Sequence, residues 1–322
     1  MQMYRFGRMK SMPLPVIDNT DSLQVPFGRV SDSSILFMGE IQPLTSAVNL
    51  TVSASIRERI RRAAHIVVNL ESPLCRSACA PKSSLLPAFA MTTDEFLRIV
   101  TAYGVEDPHR LIVNIANNHT FDRGADSAKE TIAELERIGC KVIGTKTRPS
   151  VMVDGTRIMG STSRLNPLST PYAKQLIQPD DIPLHDSVPT IVYVHWGWEY
   201  YEEPDEASVH LAKQWAGATG CRTNVIGIVG HGPHLLQKVV NYGAPCAFSL
   251  GDAIVRSKQA LRASNPRALS ALLSVSVEKG NIVAMDAMPV LQSYSSDANT
   301  LRVKVADRPD ALARFRELMG GK

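Results

Sequence analysis

The segment Ile112 to Gly124, IVNIANNHTFDRG, sets two amides, an imidazole and a carboxylate at the end of an apolar, β-branched run. A short apolar run stopped by turn residues reads as a buried strand. Its end presents Asn117, Asn118, His119 and Asp122 at one point. Open α/β sheets gather ligands at such points, because the strand is rigid and the loop after it exposes polar atoms. Other runs stop in the same way, at Glu40, Glu71, His195, His231 with His234, and Asp252. Carboxylate, amide oxygen and imidazole form the donor set of borderline divalent ions such as Mn, Fe or Zn. Two such ions need a carboxylate between them. A water they share becomes hydroxide near neutral pH, and the cations neutralise charge building on a phosphoryl or acyl oxygen.

Alternating elements would position these groups. Strands are expected over SILFM (34–38), IVVNL (66–70), the organising run at 111–116, KVIG (141–144), 190–194, NVIGIVG (224–230) and CAFSL (246–250). A helix is expected at about 55–64, opened by a Ser55 to Glu58 capping box, and a second box, Thr92 to Glu95, opens a helix ending near Gly104. Further helices are expected at about 126–138, with Gly139 as stop signal, and at about 205–219. Asp154-Gly155 between apolar runs marks a hairpin, and Lys279-Gly280-Asn281 marks another within 271–286. The Ser-, Thr- and Pro-rich stretch 161–187 reads as a long surface excursion, a lid or binding loop or else disordered. Residues 1–33 read as an extended N-terminal arm, 34–292 as the main domain, and 293–322 as a C-terminal strand and helix packed on it. Strands alternating with helices in the first half and hairpins in the second give an α/β layered fold with mixed sheets.

Composition narrows the function. The chain has 322 residues, 44% of them hydrophobic and 20% charged, with a formal net charge of +4. Its basic residues occur singly or interleaved on one helix (Arg57, Arg59, Arg61, Arg62), which gives no nucleic-acid surface. Five scattered cysteines suit a reducing compartment better than a disulfide framework. No apolar signal region follows Arg5, Arg8 and Lys10, and no run of about 18 apolar residues is present for a membrane span. The expectation is a cytoplasmic protein that does not engage the membrane.

The ordered series GE (39–40), NLESPL (69–74), ANNHTFDRG (116–124), HWGWEYYEEP (195–204), GHGPH (230–234) and FSLGD (248–252) resembles the CapA family of bacterial capsule and poly-γ-glutamate synthesis proteins. Their fold is similar to that of the calcineurin-like metallophosphatases. The resemblance covers about 35–290. It implies a four-layer αββα sandwich with two mixed sheets and a centre for two divalent ions (Mn, Fe or Zn). On it, Glu71 would be the bridging carboxylate, Asn118 and His195 would ligate one ion, and His231 and His234 would close the site. His119 would act as general acid, oriented by Asp122. Three positions depart from the family pattern. Glu40 replaces an aspartate, Gly232 removes an imidazole, and Asp252 replaces an asparagine. The first and third either compensate one another, both serving as ligands, or leave the site with one ion or none.

The implied activity is metal-dependent hydrolysis or transfer at a phosphoester, acyl phosphate or glutamyl amide. Alternatives are a non-catalytic accessory subunit that partners an amide ligase, and a cytoplasmic calcineurin-type phosphodiesterase. An anionic small-molecule or peptide-like substrate is expected if Arg76, Lys82, Arg164 and Lys174 converge on the site, since arginine pairs carboxylate or phosphate bidentately and lysine acts as a point charge. Their alternative is as dispersed surface charges. Lys82, Arg164 and Glu199 are the substrate-binding candidates.

Overall fold

The computed structural model describes residues 28–31, 34–44, 46–76, 88–220, 222–255 and 265–319. Most of the expected N-terminal arm, and Lys82, lie outside them. The elements follow in chain order: β1 (Ile35–Ile41), β2 (Asn49–Val52), α1 (Ala54–Arg62), β3 (His65–Leu70), β4 (Leu74–Cys75), β5 (Met91–Thr92), α2 (Thr93–Ala102), β6 (Leu111–Asn114), α3 (Ser127–Arg137) and β7 (Lys141–Ile143). The second half contains β8 (Ser150–Val153), β9 (Thr156–Thr162), β10 (Thr190–His195), α4 (Glu206–Trp215), β11 (Val225–His231), β12 (Val239–Asn241), β13 (Pro245–Ala247) and β14 (Asp252–Ile254). Strands β15 (Leu269–Glu278), β16 (Asn281–Ser295) and β17 (Thr300–Val305) and helix α5 (Pro309–Met319) complete it.

Two mixed sheets face each other. One runs β2-β17-β16-β15-β1-β3-β6-β7, with β14 also paired to β1, and the other runs β12-β13-β11-β10-β9-β8. The period-two alternation of a strand sorts the core into layers. Along β1, Leu36 and Met38 join Ile56, Phe96 and Leu135 of the helices outside the first sheet. Ile35 and Phe37 turn inward to meet Ile191 and Tyr193 of β10. On β10 the other face, Val192 and Val194, packs with Trp215 of α4. The order is therefore helices, sheet, sheet, helix: an α/β four-layer sandwich of the kind the resemblance implies. Phe315, Leu318 and Met319 of α5 enter the inter-sheet core, and β17 pairs with both β16 and β2, so the C-terminal elements are woven into the first sheet.

Several expected boundaries shift for local reasons. Helix α1 has Ser53 at its N-cap with no side-chain cap bond, so the expected Ser55 box does not form. The Thr92–Glu95 box on α2 is complete. Asp154 and Gly155 both have positive φ (46° and 79°), as a two-residue hairpin turn requires. The stretch 161–187 is not a free surface excursion. Leu176 and Ile177 are buried, Thr145 bridges Leu176, and Ser169 Oγ donates to Asn118 O at 2.5 Å. Cys75 is disulfide-bonded, against the expectation of reduced thiols. An odd count leaves room for a bridge that spacing alone does not reveal. Cys140 and Cys246 are free and buried.

One contact controls how the site edge is built. Gly39, next to Glu40, has no room for a side chain, since an added Cβ would meet Gly251 O at 1.7 Å. Replacing Gly39 with alanine should cost about 3 kcal/mol of stability as β1 and the 251 backbone are forced apart. Denaturant unfolding checks it; a variant within about 0.5 kcal/mol of the parent would show that the strands adjust freely.

Candidate metal centre

Parallel pairing carries the chemistry to one edge. In the first sheet Glu40 lies opposite both Asn69 and Asp252, and Asn69 lies opposite Asn114. In the second, His195 lies beside His231 on one side and Thr162 on the other. Asp252 opens β14 and each of the others is the last or nearly the last of its strand, so one shared edge gathers side chains from both sheets. The turn after β11 adds His234, itself at φ 59°, through Gly232 at φ 117°. A Cβ at Gly232 would meet Trp196 O at 2.3 Å. The position of the family's extra imidazole is thus closed by backbone.

Two donor groups form, Glu40–His195–His231 and Glu40–His234–Asp252, each with its ligand atoms within 4.8 Å of one another and every residue buried. The Nδ1 atoms of His195 and His231 lie 3.0 and 3.3 Å from Glu40 Oε1 and 3.3 Å from each other. Donors about 2.0–2.1 Å from a tetrahedral ion stand roughly 3.3 Å apart, so this spacing fits a cation between them. In the second group His234 Nδ1 lies 2.7 Å from Glu40 Oε2 and 2.8 Å from Asp252 Oδ1. Two buried oxygens, Glu71 Oε1 and Asn118 Oδ1, have no hydrogen-bond partner. Such atoms are costly to bury unless something electropositive sits beside them. The residues present therefore fit a divalent centre.

The carboxylate common to both groups is Glu40, whereas the sequence expectation gave the bridge to Glu71. Glu71 Oε1 lies 3.7 Å from His234 Nε2 and 3.9 Å from His119 Nε2, and its other oxygen accepts from Gln42 Nε2 at 2.9 Å. The longer side chain at position 40 explains the difference: glutamate reaches across to imidazoles on the facing sheet. Asp252 stands in the second group and takes Arg267 Nη2 at 3.2 Å, so a cation offsets its charge.

Beside these groups sits a dyad. His119 Nδ1 lies 2.6 Å from Asp122 Oδ2, and the same oxygen accepts from Phe89 N at 2.6 Å. The Phe89 ring stacks on the imidazole, centroids 3.9 Å apart and 13° between planes. Asn166 Nδ2 reaches the other oxygen of Asp122 at 3.5 Å. His119 thus has one nitrogen anchored and the other facing Glu71.

The fields are strong because everything is buried. Burial disfavours charge on Glu40, yet the His234 charge and hydrogen bonds from His195, His231 and His234 hold its carboxyl well below the usual range. Burial and the charges of Glu40 and Asp252 push Glu71 well above that range, against His234 and Gln42. Burial, aided by Glu40, also raises Asp252, opposed by His234 and Arg267. Burial takes His231 down to about 4. His234 goes the other way: burial lowers it, but Glu71, Asp252 and Glu40 together raise it well above an ordinary imidazole.

The expected cations do not all converge. Arg76 pairs with Glu134 on α3 at 3.0 Å, and Lys174 is exposed on a short 3-10 turn. Arg164 stacks over Trp198 at 3.7 Å, with Glu199 close enough to act on its charge. Asn69, which donates to Glu40 Oε1 at 3.2 Å and accepts from Asn114 and Asn117 at 3.0 and 3.2 Å, was not singled out. Its signal was a polar residue inside the apolar run IVVNL. Gln42 shares the parity of Glu40, two residues on, which was also readable. Phe89, Asn166 and Arg267 gave no such signal.

A family model described as bacterial capsule synthesis protein PGA_cap matches residues 46–151 and 174–257. The PGA biosynthesis protein CapA of Bacillus subtilis (strain 168) is 27% identical over 172 residues, 47% of this chain and 44% of that protein. The capsule biosynthesis protein CapA of Bacillus anthracis is 28% identical over 180 residues, 48% and 42% of the two. The chain thus spans less than half the length of these curated relatives. A solved structure of a hypothetical protein from Thermus thermophilus aligns with a TM-score of 0.43 and 14% identity, covering 80% of this chain and 98% of that one. No helix among the described residues is long and apolar enough to cross a membrane.

Proposed function

Because the chain belongs to the bacterial capsule synthesis protein PGA_cap family, we propose that it is a metal-dependent hydrolase or transferase of capsule or related peptide-like polymer synthesis. Its substrate is an anionic phosphoester, acyl phosphate or glutamyl amide. The observation that carries this reading is a single buried carboxylate, Glu40, shared by two donor groups. His195 and His231 would hold one ion with it, and His234 and Asp252 the other, with Glu71 Oε1 beside His234 Nε2 and the unpaired Asn118 Oδ1 as further donor candidates. Bound ions would supply an activated water and charge neutralisation. His119 donates a proton to the leaving group through Nε2, while Asp122 holds Nδ1 and the Phe89 ring fixes the imidazole plane. The stacked Phe89 also shields that face from water. A disulfide at Cys75 suits an oxidising compartment better than the cytoplasm.

Chelation followed by return of Mn, Fe or Zn tests this reading, with a chromogenic phosphoester as substrate. Turnover should vanish with the ion and return with it. His234, raised by its three carboxylates, must release its proton to ligate. Metal affinity should therefore rise with pH across the neutral range, with protons released on binding. Turnover that survives complete chelation, or an affinity flat with pH, would count against the reading.

A further inference from the structure

Two of the exposed rings on the loop leaving β10 are Trp198 at 55% and Tyr200 at 52%, the second with its centroid 5.6 Å from that of the His234 ring. Each carries an arginine from another segment. Arg267 lies 4.7 Å from the Tyr200 ring centroid, and the same guanidinium bonds Asp252, so a buried carboxylate already engages its charge. Arg164 lies 3.7 Å over Trp198, and its guanidinium makes no hydrogen bond or ion pair among the described residues. The two stacks look alike, but only the second has its fork of donors uncommitted.

The backbone fixes where that fork stands. Thr162, the partner of His195 across the β9–β10 ladder, accepts from Arg164 N at 3.2 Å and donates to Arg164 O at 2.8 Å. Ser163 N bonds His195 O at 3.0 Å. Arg164 is thus anchored two residues past the strand position beside a centre histidine. Two carboxylates act on it from a distance, Glu199 and Asp205. Asp205 is committed to the N-cap of α4, accepting from Ser208 N at 2.9 Å and Ser208 Oγ at 3.2 Å. Their negative charge would repel a dianionic phosphate more than a singly charged group.

Resting on the metal-dependent reading above, we propose that Arg164, held over Trp198, is the recognition site for a second anionic group of the substrate, a carboxylate remote from the reacting centre. A planar guanidinium stacked on an indole presents its N–H edge sideways. That edge matches the two oxygens of a carboxylate, and the ring holds the fork in place.

The test uses manganese-loaded protein and short ω-carboxyalkylphosphonates of graded length, compared by calorimetry with the matching alkylphosphonates. At one chain length the carboxylate should tighten binding by about tenfold, the worth of one charge-assisted pair. In Arg164→Ala the ratio should fall to near one, and Arg164→Lys should recover only part of it. A second readout needs no turnover. Of the three tryptophans, Trp196 and Trp215 are 0% and 1% exposed, so acrylamide quenching reports mainly on Trp198, and it should drop with the carboxylated ligand alone. Phosphonates that bind with no carboxylate advantage at any length, or an advantage that survives Arg164→Ala, would overturn the Arg164 assignment and leave the centre standing. Failure of every phosphonate to bind would overturn the centre and this inference together.

Discussion

Replacing His119 with alanine should lower turnover of a phosphoester by about 10²- to 10⁴-fold, the usual contribution of a positioned proton donor, while metal content stays at the parent level. His119 stands outside both Glu40 groups. Its Nδ1 is committed to Asp122 at 2.6 Å, and its Nε2 lies 3.9 Å from the nearest oxygen of Glu71. Losing the imidazole removes a donor and a stacking partner for Phe89, and leaves the His195, His231 and His234 nitrogens where they are. Steady-state kinetics with elemental analysis on the same preparation separates the outcomes. If metal leaves with activity, His119 is a ligand; if activity stays, the proton comes from elsewhere.

The larger effect on the centre itself should come from Glu40→Gln. The substitution keeps nearly the same size at a fully buried position, so packing around Gly39 and Gly251 is not the variable. What disappears is the one negative charge common to both donor groups and faced by three imidazoles. Both ions should be lost together. A ligand that binds only the folded state raises the unfolding temperature, so parent protein should gain thermal stability on adding manganese and Glu40→Gln should gain none. Glu71→Gln is the matched control, since Glu71 touches neither triad within bonding distance and keeps its bond from Gln42.

How much of this was readable depends on the range of the interaction. The strand runs, the hairpin at Asp154-Gly155 and the box at Thr92–Glu95 are local devices, and the polar residues ending each run follow from the same pattern. The layering was visible only in outline, because which face of β1 meets helices and which meets β10 depends on pairing partners far along the chain. The ion pair of Arg59 with Asp286 and the bond from Tyr193 to Met38 O at 2.6 Å are contacts of that kind. The 161–187 stretch misled for a physical reason. Its Pro, Ser and Thr content suits a loop, yet Leu176 and Ile177 sink it into the core and Ser169 ties it to Asn118. The shared role of Glu40 came from side-chain reach across two sheets, which spacing along one chain does not encode.

The central claim is that Glu40 joins two divalent sites, and metal content per chain in parent, Glu40→Gln and Glu71→Gln protein tests it most directly. Expressed in metal-supplemented medium, the parent should carry stoichiometric Mn, Fe or Zn, Glu40→Gln should carry almost none, and Glu71→Gln should retain at least part. A parent with no bound metal would contradict the account outright. A Glu71→Gln variant emptied of metal beside a loaded Glu40→Gln would return the bridge to Glu71.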